Sequence, residues 1–159
     1  MVADWEGLAE VGELAAAMRG TSELQLESYA QGRAFINTVR QVWPSKGLKK
    51  ALKALDDVRE TMPLSIAVGA ASAIEDLPLE AVAVCYLQAQ YANLVSAGIR
   101  AIPLGQTQGQ QVIAALEPLV NEVATQALEE SFDDVGSASV MVDILSMQHE
   151  VQYSRIYRS

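Results

Sequence analysis

Apolar residues recur at intervals of three or four along almost the whole chain, which is the spacing that places them on one side of an α-helix. The first such stripe predicts a helix that is capped by Asp4 and ends near Gly20. The alternation of apolar and polar residues that is typical of half-buried strands does not occur in the sequence. The pattern therefore predicts an all-α, single-domain bundle of about six or seven helices.

The next two helices have recognisable beginnings. Ser22 and Gln25 have the spacing of a capping box, in which side chains satisfy free amides at a helix start. Gly32 lies on the apolar side of this second helix, where a residue without a side chain lets another backbone come close. A turn at 44–47 precedes a third helix, whose apolar stripe runs on to Met62. We interpret the lysines of this helix as members of solvated ion pairs with Asp56, Asp57 and Glu60.

Two apolar segments follow. The segment 63–74 is small and apolar on every side, which predicts a helix wedged between neighbours with Gly69 at a close crossing. The segment 81–99 carries no charge and approaches the ~20 residues needed to cross a bilayer. Its three amide side chains would be costly in lipid, so we expect a buried helix of a soluble bundle, with Cys85 as a small hydrophobic residue.

The last part of the chain predicts a helix over 106–130, bent at Pro118, and another over 137–149. We divide the chain into an all-α domain, 1–149, and a C-terminal partner-docking tail, 150–159. The residues expected on the inward side of the 106–130 helix are Val112, Leu116, Leu119, Val120, Val123 and Ala127.

Composition and charge exclude several classes of protein. With 11 Lys and Arg against 20 Asp and Glu, the net charge of −9 makes nucleic acid or an anionic membrane a poor partner. One cysteine and one histidine are too few for a zinc or nickel site within one chain. The acidic first ten residues lack the features of a secretory signal, so we expect the cytoplasm.

The chemistry-bearing residues do not form a recognisable catalytic set. Neither of the glycine-rich patterns GxxxxGK[ST] and GxGxxG occurs. His149 and Cys85 lie 64 positions apart, and His149 and Glu150, as neighbours, point about 100° apart on a helix. We therefore expect a protein that is not an enzyme; an enzyme using His149 and Glu150 as acid and base is the weakest hypothesis.

Two regions point to binding instead. The loop 100–109, RAIPLGQTQG, joins two apolar helices and carries amide and hydroxyl side chains. The tail gathers two tyrosines and two arginines, residue types that dominate binding hot spots. A separate signal is the lack of Lys and Arg from 101 to 154, which favours either a solvated face or a generic all-α interaction domain whose acidic face binds a basic protein.

Three segments resemble the family of the urease accessory protein UreF. DILSMQHEVQYSRIYRS, 143–159, is similar to the family's closing pattern DIASMRHExQYSRLFRS. YLQAQYANLVSAGIRAIPLGQTQGQ, 86–110, resembles the run in which an SAxxR segment is followed by PLGQ, and ELQLESYAQGRAF, 23–35, is similar to ElRxExxxxGrxl. The family's glycine-rich LPxGGF stretch has no counterpart, so the resemblance is to a shortened chain without the family's N-terminal portion.

The resemblance implies a protein that joins UreD (UreH in some systems) to the GTPase UreG in the complex inserting nickel into apo-urease, and that regulates UreG. It also implies a homodimer within that complex, and that nickel and GTP are handled by the partners rather than by a cofactor of this chain. By motif position, the loop site consists of Arg100, Pro103, Leu104, Gly105 and Gln106. The partner-binding tail consists of His149, Glu150, Tyr153, Ser154, Arg155, Tyr157, Arg158 and Ser159.

Overall fold

A computed structural model describes residues 5–54 and 61–153, and within these ranges the all-α prediction is confirmed: seven α-helices, one short 3-10 helix and no strand. The 3-10 helix is Phe132–Asp134. The α-helices are α1 Trp5–Ala17, α2 Ser22–Val42, α3 Lys46–Ala54, α4 Leu64–Ile74, α5 Leu79–Ala101, α6 Gln106–Glu129 and α7 Val140–Glu150.

The chain forms two compact units, 1–76 with 136–159, and 77–135. The first unit contains α1 to α4 and α7, and the second contains α5, α6 and the 3-10 helix. The boundary expected between domain and tail at residue 149 stays a prediction. Several expectations lie outside the described residues, namely the cap Asp4, the acidic partners Asp56, Asp57 and Glu60 of the lysines, and the tail from Ser154 onward.

Helix α4 is the centre of the first unit, where it contacts α1, α2 and α3. This confirms the prediction of a helix wedged between neighbours, and the reason is that alanines on α4 let the surrounding helices approach. Leu48, at 1% exposure, is among the largest buried side chains, and its burial is worth about 1.5–3 kcal/mol. The buried core comes from four stretches of chain and consists of Ile36, Leu48, Met62, Ala67 and Ala71.

A glycine allows the closest approach in this unit, and it is Gly32 on α2, as predicted. A Cβ on Gly32 would overlap the carbonyl oxygen of Met62 and stand 3.0 Å from the carbonyl carbon of Pro63. One turn earlier, the buried Ser28 hydroxyl accepts a hydrogen bond from the Leu64 amide at 3.3 Å, which ties the start of α4 to α2. The prediction for Gly69 is wrong, because it is exposed and a Cβ there would meet nothing within 4 Å.

The start of α2 lies one residue earlier than the capping-box pattern indicates. Thr21, not Ser22, is the cap, and its Oγ1 accepts a hydrogen bond from the Leu24 amide at 3.3 Å. Gln25 does not return to the cap amide; its Nε2 donates to the carbonyl oxygen of Arg19 at 3.2 Å. Gln25 therefore closes the connection between α1 and α2, and the free amides of α2 are left for other partners.

The second unit is a pair of helices that cross at Gly109 of α6. A Cβ there would overlap Ile99 Cδ1 and stand 3.4 Å from Val95 Cγ1, both on α5. The buried positions of α6 are Gly109, Val120 and Ala124. The inward stripe predicted from hydropathy is correct at Val120 but wrong at Val112, Leu119 and Val123, which are 39–51% exposed, because the close approach at Gly109 sets which side of α6 faces α5.

Helix α5 does not have the buried environment expected for it. None of its residues is buried, and Cys85 is exposed. Within its unit α5 packs against α6. Over the described part of the chain, α5 included, every helix falls short of the length and apolarity that a membrane span requires.

Candidate partner-binding site

The C-terminal helix α7 lies on the first turn of α2. At the centre of this contact the Thr21 and Ser146 hydroxyls hydrogen-bond at 2.8 Å, and both residues are buried, at 4% and 9% exposure. Thr21 is also the cap of α2, so one side chain both begins that helix and holds α7 against it. Ser146 is the one residue of α7 that is buried.

Glu23, the second residue of α2, contacts the last turn of α7 twice. His149 Nδ1 lies 2.7 Å and 2.9 Å from the two carboxylate oxygens of Glu23, so the ring nitrogen donates to that carboxylate. The backbone amide of Glu23 donates to Glu150 Oε1 at 3.0 Å. Glu150 thereby satisfies an amide that α2 cannot satisfy itself, and its negative charge stands at the positive end of the helix dipole.

A fourth polar side chain of α7, that of Asp143, reaches the same region. The Asp143 carboxylate lies beside Gly20, so close that a Cβ added to this glycine would stand only 3.1 Å from it. Asp143, Ser146 and Glu150 are spaced three and four residues apart, so they form one side of α7. That side faces the start of α2, so these three polar residues of the terminal motif make their contacts within the chain.

The other side of α7 is apolar and open. Every apolar side chain of this helix is exposed by more than 40%. We call one row on this exposed surface the α7 stripe; its members follow one another at intervals of four, three and four residues, and they are Val140, Ile144, Met147 and Val151. Helices of globular domains normally bury such a row. This helix instead turns its polar side inward and its apolar side outward, and exposed apolar patches mark interaction sites.

The predicted tail residues fall into three groups. His149 and Glu150 are half-buried against α2, a contact that the sequence did not indicate. Tyr153 is fully exposed. The remaining members lie outside the described residues and are Ser154, Arg155, Tyr157, Arg158 and Ser159.

The predicted loop belongs to the second unit and is ordered by local hydrogen bonds. Arg100 is in the last turn of α5, and Gln106 is the first residue of α6. Between them Leu104 donates its amide to the Ile102 carbonyl at 2.7 Å. Gly105 caps α6, and its amide donates to Gln108 Oε1 at 2.8 Å, which is half of a capping box. Pro103 lies in the same short connection.

Sequence reasoning did not identify Thr21 and Glu23 as part of this site. The signal that could have indicated Glu23 is its place at the start of one of the three motif segments. Over 5–54 and 61–153, His, Cys, Asp and Glu side chains do not gather in groups of three or more that could hold a metal ion.

Comparison with known proteins gives consistent matches. The UreF family model matches residues 1–117 of the 159. The urease accessory protein UreF of Rhodopseudomonas palustris strain TIE-1 is 47% identical over 156 residues, and that of Bradyrhizobium sp. strain ORS 278 is 46% identical over 156 residues. The same-named protein of Xanthobacter autotrophicus strain Py2 is 43% identical over 158 residues.

These alignments cover 98–99% of this chain and 63–64% of the relatives, so the chain spans just under two thirds of the length of the curated relatives that it matches. The family-model match contains the loop site and the first half of α6, whereas α7 is covered by the alignments with relatives. The resemblance found in the three motif segments is thereby confirmed, and this chain belongs to the UreF family.

Proposed function

We propose that this chain acts in urease maturation as an accessory protein rather than as an enzyme. In this role it joins UreD (UreH) to the GTPase UreG in the complex that inserts nickel into apo-urease, and it regulates UreG. Membership of the family supports this role over an interaction domain unrelated to urease. The complex assembles in the cytoplasm around a homodimer of this chain, and nickel and GTP stay with the partners.

One observation carries the proposal: α7 presents its apolar side outward. The α7 stripe has the spacing of a helix that lays one side into an apolar groove of another protein. The stripe ends at Val151 and the exposed Tyr153 follows two residues later, so the exposed surface extends from the stripe at least to Tyr153. UreD is the partner that we assign to this surface.

The tail supplies the polar part of that contact. Tyr153 and Tyr157 each offer a large apolar area with a hydroxyl for the partner, and Arg155 offers charge-assisted hydrogen bonds. Replacing Arg155 by alanine costs about 2–5 kcal/mol of affinity for UreD, most of it from the partner's charge left unpaired.

The first experiment tests the surface by deletion and by charge. A chain ending at Val151 lacks residues 152–159 but keeps the contact between Glu150 and the start of α2. Ile144→Asp places a charge in the α7 stripe. Both variants are expected to lose UreD in a pull-down while far-UV circular dichroism shows unchanged helicity. Val42→Asp is the matched control, because Val42 is a similarly exposed apolar residue at the end of α2.

Full binding by the shortened chain and by Ile144→Asp would exclude this surface as the UreD site. Regulation of UreG is tested separately, by measuring GTP hydrolysis of UreG with and without the complex of this chain and UreD. An unchanged rate across saturating concentrations would leave the chain as a scaffold alone and would reject the regulatory part of the proposal.

A further inference from the structure

The last turn of α7 is attached to the rest of its unit through Glu23. The carboxylate of Glu23 accepts a hydrogen bond from the His149 ring nitrogen at 2.7 Å. The backbone amide of Glu23 donates a hydrogen bond to the Glu150 carboxylate at 3.0 Å. His149 and Glu150 are the final two residues of α7, and the described chain continues from them directly into Tyr153. The end of α7, from which the chain continues to Tyr153, is therefore next to Glu23.

Apolar packing contributes little to this attachment. The apolar side chains of α7 are exposed, and the one residue of α7 that is buried is Ser146, a polar residue. A helix held in this way depends on the geometry of a few hydrogen bonds, because the hydrophobic effect does not fix its rotation about its own axis. The Thr21–Ser146 bond alone is a single point about which α7 could turn.

The two hydrogen bonds of Glu23 attach α7 at further positions and so prevent such a rotation. They lie one turn further along α7 than Ser146 and engage two residues whose side chains point about 100° apart. Glu23 is half-buried, with 19% of its side chain exposed, and His149 has 30% exposed, so water competes only partly for these hydrogen bonds.

We propose that Glu23 is a positioning residue for partner binding: by holding His149 and Glu150, it fixes which side of α7 faces outward and where the tail begins. This inference rests on the proposed function above, in which the α7 stripe and the tail form the UreD surface. Glu23 touches no partner in this account and acts through His149 and Glu150.

The test measures the position of the tail in the full chain without a partner. In a Cys85→Ser background, nitroxide labels at Thr38→Cys on α2 and Gln152→Cys after α7, both exposed positions, report the distance between the two helices by electron spin resonance. Glu23→Ala is expected to broaden the distance distribution severalfold. Glu23→Gln, which keeps one carbonyl oxygen for His149, is expected to broaden it less.

Two further variants separate positioning from a general loss of stability. Glu27→Ala is the matched control, since Glu27 lies one turn further along α2, is exposed, and accepts a hydrogen bond from Gln31 of the same helix at 2.9 Å. It is expected to leave the distribution unchanged. The exchanged pair Glu23→His with His149→Glu restores a hydrogen bond between the same positions and keeps the amide contact to Glu150, so it is expected to restore a narrow distribution.

The same variants are then titrated with UreD. Glu23→Ala is expected to weaken binding at least tenfold, and the exchanged pair to return within about threefold of the original affinity. A narrow distribution in Glu23→Ala, or an exchanged pair that remains as broad as Glu23→Ala, would overturn the inference. A narrow distance distribution in the original chain together with no UreD binding would instead reject the proposed function, so the two failures are distinguishable.

Discussion

Thr21 and Ser146 stand 125 positions apart in the sequence, and their hydroxyls form a buried hydrogen bond of 2.8 Å that joins the start of α2 to α7. Because Thr21 also caps α2, replacing it by alanine removes the cap and leaves the buried Ser146 hydroxyl without this partner. We expect Thr21→Ala to lower the free energy of unfolding by about 2 kcal/mol, measured by urea titration.

Thr21→Ser is the control for this change, because serine keeps both hydrogen bonds and loses one methyl group. We expect it to stay within about 1 kcal/mol of the original chain. Equal losses in the alanine and serine variants would show that the methyl group, and not the two hydrogen bonds, stabilises the contact between α2 and α7.

Alanine substitutions at two helical glycines of the first unit are expected to have opposite signs. At Gly32 the added Cβ would meet the backbone of Met62 and Pro63, which cannot move without shifting α4, so we expect a loss of about 2–3 kcal/mol. At Gly69 the Cβ would meet nothing, so the lower flexibility of alanine in a helix should give a gain of about 0.5–1 kcal/mol. Thermal unfolding checks both; a change of the same sign at the two positions would contradict the packing described for α4.

Gly109 tests the crossing of α5 and α6 in the second unit. A Cβ there would meet the far end of the Ile99 side chain, which can rotate, so we expect Gly109→Ala to cost less than Gly32→Ala. Shortening that side chain in the double variant Gly109→Ala with Ile99→Val should recover stability, and a double-mutant cycle measures the coupling. Strictly additive effects of the two changes would place the crossing elsewhere.

The thiol of Cys85 tests the exposure of α5. Since Cys85 is exposed, we expect it to react with a thiol reagent such as DTNB in the folded chain nearly as fast as in urea. A thiol that reacts only after unfolding would show that α5 is covered on this side and would restore the buried environment that hydropathy indicates.

Hydrophobic periodicity was sufficient to predict the helices, but it did not reveal their long-range partners. It placed Gly32 correctly on the packed side of α2, whereas Gly69 fell on an open side of α4, because periodicity indicates a side of a helix and not what crosses it. The cap was misplaced by one residue because threonine and serine have the same capping chemistry.

The choice of candidate site residues came from the sequence and stays a prediction, whereas the geometry around them could not be derived from the sequence. The terminal motif drew attention to His149 and Glu150, which the structure places against Glu23, more than 120 positions away. No local pattern encodes such a contact, and the same polar residue types would equally suit a surface exposed to solvent. The exposure of α5 was missed for a similar reason, since an apolar segment alone does not indicate how many neighbours cover it.

The most direct test of the central claim, that α7 turns its apolar side toward a partner, is methionine oxidation followed by mass spectrometry. Met141 and Met147 on α7 are exposed, at 66% and 49%, whereas Met62 is buried in the core, at 2%. In the free chain, peroxide should oxidise both α7 methionines and spare Met62, and saturating UreD should protect Met147 of the α7 stripe. A Met147 that resists oxidation in the free chain, or that oxidises equally fast with UreD bound, would contradict the account.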